Sequence, residues 1–363
     1  MKDVKLDILP LNEWMDVDIR PLIISGPCSA ENKEQVLSTA KLLASTGIVN
    51  VFRAGMWKPR TRPDTFEGVG EEGLAWMKQV RDDTGMRTCV EVATPRHIEA
   101  AIEYGIDILW IGARTTVNPF SVQEIAEALK GYDIAVMVKN PVNPDLSLWL
   151  GALERINSAG IKKLVAIHRG FNAYDSAPYR NAPIWEIPIE LMRLCSGLPV
   201  ICDPSHITGN AMLLKGIAQQ ALDLDMDGLM IESHINPKTA LSDKEQQITP
   251  KELEKLVASL VIRSNSSTND EFRNKLEELR FEIDKIDAEL IKQLSNRMQV
   301  IDRIGHYKKE NNVTILQIKR WNNIVKESIE LGEKLGLSRE FLLKLLRMLH
   351  EESIRKQTEI FNK

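Results

Sequence analysis

PLIISGPC, residues 21–28, is a short apolar run rich in β-forming residues that ends on a cysteine. Seven more runs of the same build follow: NVFRAGMW (50–57), RTCVEVA (87–93), ILWIGAR (108–114), AVMVKN (135–140), KLVAIHRG (163–170), PVICDPSH (199–206) and GLMIESH (228–234). Amphipathic stretches such as EEGLAWMKQVRDDTG and NAMLLKGIAQQALDLD lie between them. Strands apolar on both faces, each followed by a helix, predict a parallel sheet closed into a (β/α)8 TIM barrel. A doubly wound open sheet is the alternative topology, and the lack of a GxGxxG after the first strand weakens it.

The pattern changes at RSNSSTND (263–270), a Ser/Asn-rich linker in which Thr268, Asn269 or Asp270 is available to cap a helix. Beyond it Leu276, Leu279, Ile283, Ile286, Leu290, Leu294, Met298, Ile301 and Ile304 recur at steps of three and four. That spacing predicts one amphipathic helix to about Glu310. At 1.5 Å per residue it spans roughly 60 Å, too long for two short successors, near 316–335 and 338–361, to cover. The expected organisation is an α/β barrel over residues 1–263, a linker over 264–270, and an all-α, three-helix, dimer-forming domain over 271–363.

Composition bounds the function. With 43% hydrophobic and 27% charged residues, a net charge of −4 and a pI near 6.0, neither nucleic acid nor membrane is expected as partner. The opening MKDVKLDILPLNEWMDVDIR has acidic residues and no long apolar run, so it reads as neither signal nor transit peptide. Cys28, Cys89, Cys195 and Cys202 form no CxxC pair, which suits a reducing cytoplasm. Cys89 and Cys202 within strands and Cys195 on a helix read as core, and His97 and His306 as structural or solvated.

In such a barrel, chemistry sits where strands end. The runs end in Cys28, Arg53 with Lys58, Glu91, Arg114, Lys139, His168 with Arg169, His206, and Glu232 with His234. Arg53, Lys58, Arg114, Lys139 and Arg169 converging on one mouth would repel one another without anions, so the mouth is expected to bind phosphate and carboxylate groups. On the same rim Cys28, His206, Glu232 and Asp243 make a plausible four-ligand divalent site. From position alone Cys28 reads more readily as a small buried hydrophobe than as a ligand.

The strings GPCS (26–29), FRAGMWKPRT (52–61), IGARTT (111–116), HRG (168–170), DPSH (203–206) and ALSD (240–243), in this order, resemble 3-deoxy-D-arabino-heptulosonate 7-phosphate (DAHP) synthase of the type I β subgroup. The resemblance implies Cys28, His206, Glu232 and Asp243 as ligands of a divalent cofactor metal: Mn, Fe, Co or Zn. It implies that Arg53, Lys58, Arg114, Lys139 and Arg169 bind phosphoenolpyruvate, and that Arg60 and Thr61 hold the phosphate of erythrose 4-phosphate. The reaction implied is an aldol-like condensation, with Lys58 and a water on the metal both candidates for proton handling. A related synthase acting on arabinose 5-phosphate carries a KANRSS-like string where this chain has KPRT (58–61), which favours the four-carbon sugar.

On the long tail helix Arg297 and Lys308 are eleven residues apart and fall within about 20° of each other, while Arg280 points about 100° away. From spacing alone these are readable as solvent-facing charges. LEELRFEIDKIDAELIKQLSNR (276–297), IGHYK (304–308) and EESIRKQ (351–357) resemble the all-helical chorismate mutases. The resemblance implies a pocket of Arg297, Lys308, Arg320, Ser353 and Gln357, with Arg280 entering from a second subunit. Lys308 and Gln357 would bond the ether oxygen of the breaking bond, and the arginines the carboxylates of chorismate. Where some members place an acidic residue to meet the substrate hydroxyl, this chain has Gln317, and a second acidic position is Trp321; an amide can still bond a hydroxyl, but an indole N–H only donates.

The expected protein is thus a bifunctional shikimate-pathway enzyme, a homodimer or higher homo-oligomer whose mutase domain also senses prephenate or chorismate. A DAHP synthase whose tail is a catalytically weak regulatory and dimerisation module is the second reading, and an unrelated metal-dependent aldolase barrel the third.

Overall fold

A computed structural model of the chain describes residues 4–15, 21–58, 66–174, 176–264 and 266–362. The chain divides into two compact units, Met1–Asn265 and Ser266–Lys363.

In the first unit strands and helices alternate along the chain. They run β1 (Leu22–Gly26), α1 (Lys33–Thr46), β2 (Val51–Ala54), α2 (Glu72–Thr84), β3 (Arg87–Val92), α3 (Pro95–Glu103), β4 (Ile108–Ile111), α4 (Ala113–Thr116), α5 (Pro119–Leu129), β5 (Ala135–Lys139), α6 (Leu146–Ser158), β6 (Leu164–His168), α7 (Glu186–Leu194), β7 (Val200–Cys202), α8 (Pro204–Thr208), α9 (Leu214–Asp223), β8 (Gly228–Glu232) and α10 (Pro250–Ala258). All neighbours pair in parallel, and β8 returns to β1 with Leu22 opposite Gly228 and Gly26 opposite Glu232. The sheet is closed, so the open doubly wound alternative is excluded.

Side chains alternate between two cores, as the period of a strand requires. Ile24, Cys89, Trp110, Met137, Val165, Ile167 and Met230 fill the barrel interior, and Trp14 and Met15 pack against them. Ile23, Phe52, Val90, Leu109, Val138, Ala166 and Leu229 face the helices. Continuing the inward set toward the strand ends brings Arg53, Glu91, Lys139, Arg169, Asp203 and Glu232 to the mouth. His168 has the opposite parity.

The second unit is three helices: α11 (Asp270–Glu310), α12 (Ile318–Lys334) and α13 (Arg339–Asn362). Of the three candidate caps, Asn269 serves, its side chain accepting the Phe272 N–H at 3.0 Å. Both α11 and α12 pack on α13 through buried glycines: a Cβ on Gly332 would lie 2.6 Å from the methyls of Leu342. Leu279, Ile283, Ile286, Leu290 and Leu294, most of the apolar stripe of α11, remain exposed. No helix among the described residues is long and apolar enough to cross a membrane.

Candidate active sites

The strand ends of the barrel surround a cavity of about 340 Å³ lined by Lys58, Glu91, Arg114, Lys139, Arg169, Arg180, Asn181, His206 and Asp243, among others. Four of the five predicted cations therefore share one space. The fifth, Arg53, is 1% exposed, and its Nη1 pairs with Glu232 Oε1 at 2.7 Å. Its guanidinium lies 4.6 Å from the centre of the Trp110 ring, over which Lys139 Nζ also sits at 5.8 Å. Burial above all, with Arg180 and Arg114 adding to it and Asp203 opposing, pulls Arg169 down to about 10. Arg60 and Thr61 fall outside the described residues.

The four predicted metal donors form two contacts. Cys28 Sγ lies 3.4 Å from Asp243 Oδ2, and His206 Nε2 lies 3.8 Å from Glu232 Oε1. Lys58 Nζ is 3.2 Å from the same sulfur. Burial, then the charge of Glu232, pushes the Cys28 thiol up to about 12 against the opposing charge of Lys58. Burial disfavours ionised Asp243, yet Arg180 at 3.0 Å and His206 hold its carboxyl well below the usual carboxylate range. Among the described residues no three His, Cys, Asp or Glu side chains are already gathered in metal-holding geometry.

Asp203, which sequence reading left without a role, organises this rim. Its Oδ2 lies 2.7 Å from Lys139 Nζ and 2.8 Å from His206 Nδ1, and its Oδ1 caps α8 by accepting the His206 N–H. Nε2 of His206 is thereby turned to Glu232. The signal was present: an Asp before a proline at the first position of a helix, two residues beyond the inward Ile201. Arg180, Asn181 and Gln246 were also unforeseen. Asn181 accepts from Arg169 at 2.9 Å, Gln246 donates to Glu232 Oε2 at 2.8 Å, and Arg180 donates to Gln246 and Asp243.

Two histidines expected at the mouth are elsewhere. His168 points outward, its ring 5.1 Å from Trp185, 5.7 Å from Phe171 and 6.5 Å from Trp149, and burial depresses it to about 3. His234 is buried with Nε2 3.6 Å from Glu31, and its Nδ1 accepts the Asn236 N–H. His97 has the partners that sequence reading did not see: it stacks on Trp57 at 3.9 Å and accepts the Ala93 N–H.

In the helical unit Arg297 Nη1 donates to Ser353 Oγ at 2.8 Å and to the Leu349 carbonyl at 3.4 Å. Lys308 Nζ donates to the Ile315 carbonyl at 2.6 Å. Gln357 is buried, with Nε2 on the Ser353 carbonyl and Oε1 without a partner among the described residues. Gln317 and Arg320 are exposed at the start of α12, and Arg280 pairs with Glu277 of its own helix at 2.6 Å. One chain thus joins Arg297, Ser353 and Gln357 and leaves Arg280 exposed on its own helix, paired with Glu277.

A family model described as the DAHP synthetase I family matches residues 14–266. This chain belongs to that family. A phospho-2-dehydro-3-deoxyheptonate aldolase of Thermotoga maritima is 32% identical over 250 residues, 67% of this chain and 72% of its own. The crystal structure of phospho-2-dehydro-3-deoxyheptonate aldolase (DAHP synthase) from Thermotoga maritima superposes with a TM-score of 0.59 at 30% identity, covering 66% of this chain and 67% of that one. A 2-dehydro-3-deoxyphosphooctonate aldolase of Desulfatibacillum aliphaticivorans is 28% identical over 265 residues, 66% of this chain and 90% of its own. A second model, chorismate mutase type II, matches residues 279–358, the span of the three tail helices. This DAHP synthetase family member therefore carries a synthase domain and a chorismate mutase domain in one bifunctional shikimate-pathway chain.

Proposed function

We propose that the barrel condenses phosphoenolpyruvate with erythrose 4-phosphate to give DAHP and phosphate. The observation that carries this reading is the gathering of Lys58, Arg114, Lys139 and Arg169 on one cavity, above the buried Arg53–Glu232 pair. These cations bind the phosphate and carboxylate of phosphoenolpyruvate and hold its C3 against the aldehyde, a proximity effect that can be large. Water adds at C2 and phosphate leaves. Lys58, 3.2 Å from Cys28 Sγ, handles a proton. Arg60 and Thr61, from KPRT, receive the sugar phosphate.

The donor chemistry fits a divalent ion. A thiol and a carboxylate in contact share the rim with an imidazole whose far nitrogen stands 2.8 Å from Asp203 Oδ2, a carboxylate placed as an outer-shell partner would be. Cys28, His206, Glu232 and Asp243 would hold Mn, Fe, Co or Zn, which supplies Lewis acidity toward the aldehyde. Lys58 and Arg180 are the cations beside two of these donors, Cys28 and Asp243.

The tail converts chorismate to prephenate with Arg297, Lys308, Arg320, Ser353 and Gln357, assisted by Gln317, and with Arg280 supplied by a second copy. The exposed apolar stripe of α11 supports a homodimer that pairs these helices. Prephenate or chorismate bound there regulates the barrel, which requires different affinities for two arrangements of the protein. The four cysteines are buried and free, in keeping with a cytoplasmic enzyme.

Purified protein assayed with phosphoenolpyruvate and erythrose 4-phosphate tests the synthase assignment. Phosphate release should stop with chelator, return with metal and fall with prephenate; release indifferent to chelator would remove the metal assignment, and none at all would redirect attention to the five-carbon sugar.

A further inference from the structure

Trp321 and His350 stack face to face across the α12–α13 pair, with ring centres 3.9 Å apart and planes 16° from parallel. The mutase resemblance implies an acidic residue at Trp321, whose indole N–H only donates and cannot accept a hydrogen bond. His350 lies three residues before Ser353 and seven before Gln357, so the three share one face of α13. Arg297, which donates to Ser353 Oγ and to the carbonyl of Leu349, docks one residue away from His350. His350 is partly buried and makes no hydrogen bond among the described residues.

We infer that His350 is the hydrogen-bond acceptor for the substrate hydroxyl in this mutase pocket, held flat by Trp321 and replacing the missing carboxylate. The inference rests on the pocket reading given above. A neutral imidazole has one bare nitrogen, which accepts as a carboxylate oxygen does; an imidazolium has none. The surroundings keep the ring neutral: burial first, then Arg297 and Lys308 from α11, lower its pKa from the usual imidazole range, with Glu351 of its own helix opposing them. An imidazole stacked on an indole keeps both ring nitrogens at its edge, clear of the stack, and the stack fixes the plane in which they lie. A carboxylate beside Arg297 would pair with it; a neutral acceptor leaves that arginine for the substrate's carboxylate.

The test is mutase kcat and KM for full-length wild type, His350→Leu and His350→Gln across pH. His350→Leu should lose tenfold or more in kcat/KM, a factor of ten being about 1.4 kcal/mol. His350→Gln, which keeps an acceptor, should retain most of it. Wild-type kcat/KM should fall at acid pH, below the usual imidazole range, as the ring gains its second proton, and that limb should vanish in His350→Gln. Trp321→Glu should restore turnover to His350→Leu. The inference is overturned if His350→Leu turns over like wild type, or if Leu and Gln variants fall together with the acid limb unchanged; if the Leu variant does not fold, the acid limb and the Gln variant decide. Arg297→Ala tests the pocket separately: activity surviving that change would mean the pocket lies elsewhere, whatever His350 does.

Discussion

Nη1 of Arg53 and Oε1 of Glu232 meet at 2.7 Å in the barrel interior, at 1% and 0% exposure. Burial opposes both charges and their neighbours together outweigh it: His206 and then Arg53 hold Glu232 below the usual carboxylate range, and Glu232, with Cys28 and Asp203, raises Arg53. One residue of the pair is a proposed anion holder and the other a proposed metal ligand, so the two halves of the site share a structural bond. Arg53→Met leaves a buried carboxylate with Gln246 as its remaining donor and should cost about 3–5 kcal/mol in denaturant unfolding. Adding Glu232→Leu should recover most of that stability while leaving the synthase inactive. Equal stability of Arg53→Met and wild type would mean the pair is not held as described.

His168 gives a pH dependence. The folded protein keeps it neutral down to about 3, through burial first and Arg169 second, whereas an unfolded chain protonates it near 6.5. Between those values the unfolded state binds more protons, so the stability from neutral His168 is full above 6.5 and is lost as pH falls toward 3. The slope is at most about 1.4 kcal/mol per pH unit. Urea unfolding at pH 7 and pH 5 should show wild type losing roughly 2 kcal/mol more than His168→Phe, which fits the same aromatic surround. Parallel losses would place the titration elsewhere.

Gly112 tests the cavity wall. A Cβ there would come within 2.0 Å of Glu91 Oε1, although the backbone at Gly112 is in an ordinary extended conformation. Gly112→Ala should therefore fold, move the Glu91 carboxylate, and lower synthase kcat/KM by up to about a hundredfold. Unchanged kinetics would show that Glu91 has room to yield and no part in the reaction.

Gly305 does the same for the tail. A Cβ would meet Ile360 Cδ1 at 2.8 Å and Gln357 Cγ at 3.3 Å, where α11 approaches α13. Alanine favours a helix over glycine by about 1 kcal/mol, so Gly305→Ala should leave helix content intact. Ile360 can rotate away but Gln357 must shift, and mutase kcat should drop with little change in condensation. Full mutase activity would separate Gln357 from the reaction.

The barrel was legible because strands buried on both faces leave an unbroken apolar run, and the tail because its stripe repeats at helical spacing. Strand-end reading put Lys139, Arg169 and Glu232 at the mouth, where alternation also brings them, but it took His168 with Arg169 when alternation assigns neighbours to opposite faces. Arg180, Asn181 and Gln246 were not legible, since each acts through a partner brought close only by the closed sheet: Arg180 meets Asp243 across 63 positions. His350 was hidden for a similar reason. Nothing in LHEES marks it until Trp321 is found lying on it.

The Trp110 ring beneath Arg53 and Lys139 changes what an empty site is. Arg53 and Lys139 are each held by a buried carboxylate, Glu232 and Asp203, at 2.7 Å. An aromatic face is a weak negative surface that never dissociates. It adds to those two carboxylates in holding the cations side by side, so that an arriving anion finds its receptor already built.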